Sequence, residues 1–98
     1  MGFSRLSAKE ALILEALRGG EMFGLQLVEE SGGRLKRGTV YVTLGRMQEK
    51  GLVDSRLEER HPGAIGLPRR LYRATAFGLR VLEAWNTFRA TLAVEGAR

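Results

Sequence analysis

A mainly α-helical fold carrying one small β-hairpin is predicted by this sequence, and three observations predict it. Apolar residues recur at helical spacing in three segments as far as Lys50, the period shortens to two from Val53, and helical spacing returns after Thr75. At 98 residues the chain fits one domain. A chain this short buries only about 60–65% of its unfolded surface, so further burial in a dimer would help it.

The first helix is announced by Ser7-Ala8-Lys9-Glu10, in which a serine and a glutamate three residues later can satisfy each other's orphan backbone donors. Ala11, Ile13, Leu14 and Leu17 supply its apolar face, and Gly19-Gly20 ends it. A second, shorter helix fits Gly24 to Ser31, with Leu25, Leu27 and Val28 apolar and Gly32-Gly33 as the stop. The third runs from Arg37 to Lys50 and closes at Gly51, a residue suited to a left-handed cap. Val53, Ser55 and Leu57 then alternate with Asp54, Arg56 and Glu58, as in a half-buried strand. His61 to Pro68 holds two prolines and two glycines and reads as a loop, after which Leu71 to Ala74 forms the return strand. Thr75 is placed to cap a last helix that reaches almost to the end of the chain.

Composition narrows the function. Hydrophobic residues at 44% and charged residues at 28% describe a globular protein. There is no apolar run near the roughly 20 residues a membrane span needs, and no charged-then-apolar secretory start, so a cytoplasmic protein is expected. With no cysteine and a single histidine, His61, disulfides, thiolate chemistry and multi-histidine metal centres are excluded, and neither a metal nor a cofactor is expected. No nucleophile-base-carboxylate spacing or phosphate-cradling glycine loop is present, and the adjacent pairs Glu29-Glu30 and Glu58-Glu59 point apart on their elements. An enzyme is not expected. A net charge of +5 favours an anionic partner.

Three helices followed by a hairpin is the layout of a winged helix-turn-helix, in which the third helix enters a groove and the hairpin lies beside it. On a helical wheel Val40, Leu44 and Met47 share one narrow arc and belong to the core. Val42, Gly45, Arg46 and Glu49 fall opposite, with Thr39 and Tyr41 on the flanks. This face has two readings, a solvated surface or one shaped for a DNA groove. The second needs short hydrogen-bonding groups, small residues for close approach and apolar atoms that meet a thymine methyl, and Thr39, Gly45 and Val42 are of those kinds. Lys36, Arg37 and the Tyr41 hydroxyl are placed for phosphates, Thr43 joins the candidate contacts, and Arg46 is the candidate for a bidentate contact with guanine.

Several motifs carry a family resemblance. G-E-M-F-G-L-Q-L (Gly20 to Leu27), G-T-V-Y-V-T-L-G-R-M (Gly38 to Met47), E-K-G-L-V (Glu49 to Val53) and R-R-L-Y-R-A-T-A-F-G (Arg69 to Gly78) occur in the order and spacing of the PadR-like transcriptional regulators, which the chain resembles from about Leu12 to Leu82. It is similar to the compact subgroup with a single short C-terminal helix. It departs from the family pattern at Val42, commonly proline, and at Phe77, where a charged residue usually precedes the glycine.

The resemblance implies a winged-helix DNA-binding domain over residues 1–74 and a C-terminal dimerisation helix over 75–98, packed on the same domain. It implies a sequence-specific regulator, a repressor acting as a homodimer on a palindromic operator in double-stranded DNA. It also implies that wing residues, here Arg69 and Arg70, reach the backbone or the minor groove. In the last helix Val81, Leu82, Trp85, Phe88 and Leu92 give an apolar stripe to a helix of about 20 residues, roughly 30 Å, more than a small three-helix core can cover, so a second copy is expected on part of it. Val81, Trp85, Phe88 and Leu92 are the candidate dimer contacts. The resemblance further implies that an aromatic residue here, Trp85, lines a pocket for a small planar hydrophobic effector; simple packing of Trp85 at the interface is the plainer reading. The rival function is a winged helix that binds protein rather than DNA. Ile65 and Leu67, apolar in the wing tip, have no evident core to join.

Overall fold

A computed structural model of the chain describes residues 6–96. The expected units 1–74 and 75–98 both run past that range, so residues 1–5 and 97–98 lie outside the described residues. The elements are α1 (Ala8–Leu17), β1 (Met22–Phe23), α2 (Gly24–Glu30), α3 (Arg37–Glu49), β2 (Val53–Leu57), β3 (Arg70–Ala74) and α4 (Ala76–Gly96).

Local chemistry sets the helix ends as the sequence predicts. The Ser7 amide donates to Glu10 Oε1 at 2.9 Å and the Glu10 amide donates to Ser7 Oγ at 3.1 Å, closing the capping box of α1. The same carboxylate also reaches across the fold. Glu10, with its side chain only 6% exposed, takes the Lys50 ammonium at 2.8 Å and so ties the start of α1 to the end of α3. Burial pushes the Glu10 carboxyl up, but the hydrogen bonds from Lys50 and from the Ser7 amide outweigh it and leave the group below its ordinary value of 4.5. A carboxyl depressed on folding contributes stability that is fully present above its unfolded value and is lost as pH falls through the folded one. Native protein is therefore expected to lose stability as pH drops below 4.5. Glu10→Gln will flatten part of that loss in acid melting curves, and an unchanged profile would remove Glu10 from the linkage.

One core joins the three N-terminal helices, the sheet and the first half of α4. Ile13 and Leu14 of α1, Leu27 of α2, Val40, Leu44 and Met47 of α3, Leu52 and Val53 at the strand entry, and Leu82 of α4 are all fully buried. The arc predicted for α3 is thus its core face. Leu25 and Leu57 differ from expectation: each is more than two-fifths exposed, because α2 is one short turn pair that buries only Leu27 deeply, and β2 leaves the core after Val53.

The hairpin is the long one foreseen, with Val53 opposite Ala74 and Leu57 opposite Arg70. The sheet has a third strand that the sequence did not announce. Met22 and Phe23 pair antiparallel with Tyr72 and Leu71, giving the order β1-β3-β2. This pairing stitches the entry of α2 to the wing.

A compact joint connects the end of α3 to the start of α4. Thr75 Oγ1 donates to the Gly51 carbonyl at 2.7 Å and lies 3.2 Å from that of Leu52, the Thr75 amide donates to Leu52 at 3.0 Å, and Thr75 Oγ1 accepts the Gly78 amide at 2.9 Å. Gly78 is required by this closeness, since a Cβ there would fall onto the Leu52 carbonyl.

Candidate nucleic-acid interface

The outward face of α3 carries the candidate contacts. Val42 is 54% exposed and Tyr41 46% exposed, while Gly45 has open space where a side chain would stand. Lys36 occupies the N-cap position and Arg37 the first turn, both exposed, and neither makes an ion pair among the described residues. Arg46 is exposed on the side facing α1, where it lines a cleft with Ser7, Lys9, Thr39 and Lys50. Thr43 is a correction. It is buried, and its hydroxyl donates to the Thr39 carbonyl at 3.0 Å, so its position at the edge of the core arc turns it inward and its hydroxyl is satisfied on its own helix.

Tyr41 is seated by a glycine. A Cβ on Gly24 would lie 2.5 Å from the tyrosine ring, so the ring packs against the start of α2 only because position 24 has no side chain. A groove missed by sequence reasoning results, lined by Phe23, Gly24, Leu25, Gln26, Glu29, Tyr41, Pro68, Arg69 and Arg70. It joins α2, α3 and the base of the wing in one concave surface. Its signal in the sequence was the F-G-L step at Phe23-Gly24-Leu25, legible only once Tyr41 is known to cross it.

The wing arginines divide by their partners. Arg56 is held by Glu21 at 2.8 Å and Arg73 lies 3.5 Å from Asp54. The Arg56 guanidinium holds the Glu21 carboxyl below its usual range. Arg69 lines the groove and also braces the wing. Its guanidinium stacks 3.9 Å from the centre of the Phe23 ring and lies 3.3 Å from Glu58, which also accepts its amide at 2.9 Å. That amide, then the guanidinium, keep the Glu58 carboxyl below its ordinary range. Two partners therefore let Arg69 brace the wing. Arg70 is exposed and touches Ser55 Oγ at 3.0 Å, which leaves its charge uncompensated among the described residues.

The α4 stripe also divides. Val81 is 5% exposed and belongs to the chain's own core, which takes it out of the expected dimer contacts. Trp85 is half-buried against that core with Phe88 beside it, ring centres 6.0 Å apart. Phe88, Leu92 and Val94 are all more than half exposed. Beside Trp85 a cleft opens between α1 and α4, lined by Ala8, Ala11, Leu12, Glu15, Arg34, Asn86 and Arg89. No described helix is long and apolar enough to cross a membrane.

Known proteins share this architecture. The crystal structure of a PadR family transcription regulator from Clostridium difficile superposes with a TM-score of 0.76 at 26% identity, covering 93% of this chain and 97% of that one. A PadR family transcriptional regulator from Eggerthella lenta gives 0.75 at 27% identity, covering 90% and 77%. PadR from Bacillus subtilis in complex with operator DNA gives 0.69 at 24% identity over 81% of this chain, which spans 46% of that longer protein. No match was found among curated proteins. The family model described as the transcriptional regulator PadR-like family matches residues 13–84, and the chain belongs to that family.

Proposed function

We propose that this regulator binds double-stranded DNA as a homodimer, places the exposed face of α3 in the major groove, and represses transcription by occupying a palindromic operator. One observation carries the reading: α3 is fully buried along Val40, Leu44 and Met47, while its opposite face is small, mildly apolar and fed with positive charge from Lys36, Arg37 and Arg46. A face of that kind suits close approach to base edges, with cations at its rim for phosphates. The fold match solved with operator DNA supports it. Thr39, Tyr41, Val42 and Arg46 are the α3 contacts in this reading, and Arg70 is the wing contact.

The exposed second half of α4 supports the dimer, and a two-fold pair of recognition helices about 34 Å apart would meet successive turns of the duplex. The α1–α4 cleft beside Trp85 is the place where a small planar hydrophobic effector would bind and release the operator.

The test is enrichment of bound duplexes from a random pool, followed by mobility shifts over a salt series. If a dimer touches about eight phosphates, the log-log slope of affinity against salt will be near −7. Arg46→Ala will cost about 1–3 kcal/mol on the enriched site and far less on random duplex. Equal affinity for enriched and random duplex would leave a winged helix that does not read sequence.

A further inference from the structure

We infer that the wing tip is a braced apolar wedge, built to press Ile65 and Leu67 between base pairs from the minor groove. Ile65 is 95% exposed and Leu67 90% exposed, so two large aliphatic side chains of one loop stand in water. A slack loop would fold them onto Leu57, which stands half-exposed at the end of β2. Instead the backbone is gathered from behind: the Arg60 guanidinium donates to the Ile65 carbonyl at 2.6 Å and to the Gly66 carbonyl. Those carbonyls are thereby satisfied on the inner side of the tip, and the two apolar side chains are left outside.

The base is braced as well. Glu58 and Arg69 exchange backbone and side-chain hydrogen bonds across the hairpin, with the Glu58 amide donating to the Arg69 carbonyl at 2.8 Å. Stacking of Arg69 on Phe23 fixes that base against β1. Arg69 is therefore a positioning residue of the wing.

The chemistry of the tip selects its partner. Ile65 and Leu67 line one cleft with Arg60, His61, Arg69 and the carboxylates of Glu58 and Glu59; Arg69 offsets Glu58, and the Arg60 guanidinium is bound to backbone carbonyls, so it keeps its charge for an anion at the edge of an apolar slot. A base-pair step opened from the minor groove between two phosphate strands is such a slot, and aliphatic wedges kink duplexes there by about 20–90°. Outside Arg60 and His61 the loop is Pro62-Gly63-Ala64, slim enough for a groove about 6 Å wide. Pro68 and Arg70 line the same concave groove as Tyr41 of α3, so the wing base continues the surface already assigned to DNA. The inference rests on that assignment.

The experiment places 2-aminopurine at successive steps of the duplex enriched by the native chain and follows its emission with end-to-end energy transfer. Native protein will raise emission several-fold at the step under each wing and shorten the end-to-end distance. Ile65→Ser/Leu67→Ser will return both signals towards those of free duplex and weaken enriched-site binding about tenfold. Its melting temperature will match the native one, because both side chains are already in water. Native binding to the enriched site without an emission rise would overturn the wedge while leaving the DNA-binding reading intact, as would a double variant that still bends the duplex fully. Loss of solution mass in the double variant would also overturn it, by showing the tip seated on a second copy. Failure to enrich any duplex would remove the underlying reading and the wedge with it.

Discussion

Replacing Gly78 with alanine will lower the melting temperature by about 10–20 °C. The new methyl would fall onto the Leu52 carbonyl and come within 3.2 Å of Leu14 Cδ2. Leu52 cannot simply retreat, because its oxygen already receives the Thr75 amide and lies near the Thr75 hydroxyl. Either the first turn of α4 moves away from the core or those bonds are broken. Overpacking of this kind costs about 2–3 kcal/mol, and each kcal/mol shifts a domain of this size by about 4–8 °C. Calorimetric or circular-dichroism melting checks it, with Gly45→Ala as the control. Position 45 opens onto free space in a helix interior, so alanine there will stabilise by about 0.5–1 kcal/mol. A Gly78→Ala protein that melts with the native one would show that α4 does not approach Leu52 as described.

On the proposed dimer, Leu92→Glu will yield a monomer and weaken operator binding by about two orders of magnitude or more. Leu92 is 54% exposed in the single chain, so the change leaves the fold intact. In a two-fold pair it would set two carboxylates in the apolar seam beside Phe88, where charge is costly to bury. The DNA effect follows from linkage of two half-sites: once one recognition helix is bound, the second acts at high effective concentration, an advantage of about 10²–10⁴ that a monomer lacks. Sedimentation equilibrium and mobility shifts measure the two losses separately. A variant that keeps its dimer mass would move the interface away from Leu92.

Features set by neighbours in sequence were legible before the fold was known. The Ser7–Glu10 box, the core arc of Val40, Leu44 and Met47, and the Thr75 cap each follow from a spacing of three or four residues. Features set by distant partners were not. A two-residue strand such as Met22–Phe23 has no period of its own and exists only because β3 offers it an edge. The wing arginines look alike in sequence, yet Glu21, Glu58 and Phe23 decide which ones brace the fold and which stay available. Thr43 and Val81 sit at the margins of their arcs, where a shift of a few tens of degrees moves a side chain from water to core, and the wheel does not resolve that difference.

The joint at Thr75 has a consequence for how this domain can change over generations. Because Thr75 bonds the Gly51 carbonyl directly, the whole excursion of the hairpin begins and ends at one point. Residues inserted at the far end, between His61 and Pro68, enlarge a circuit that is already closed, and doubling its length would cost only about 0.6 kcal/mol of closure entropy. The reach of the wing tip can thus be lengthened or shortened while the helices that hold the two ends keep their places.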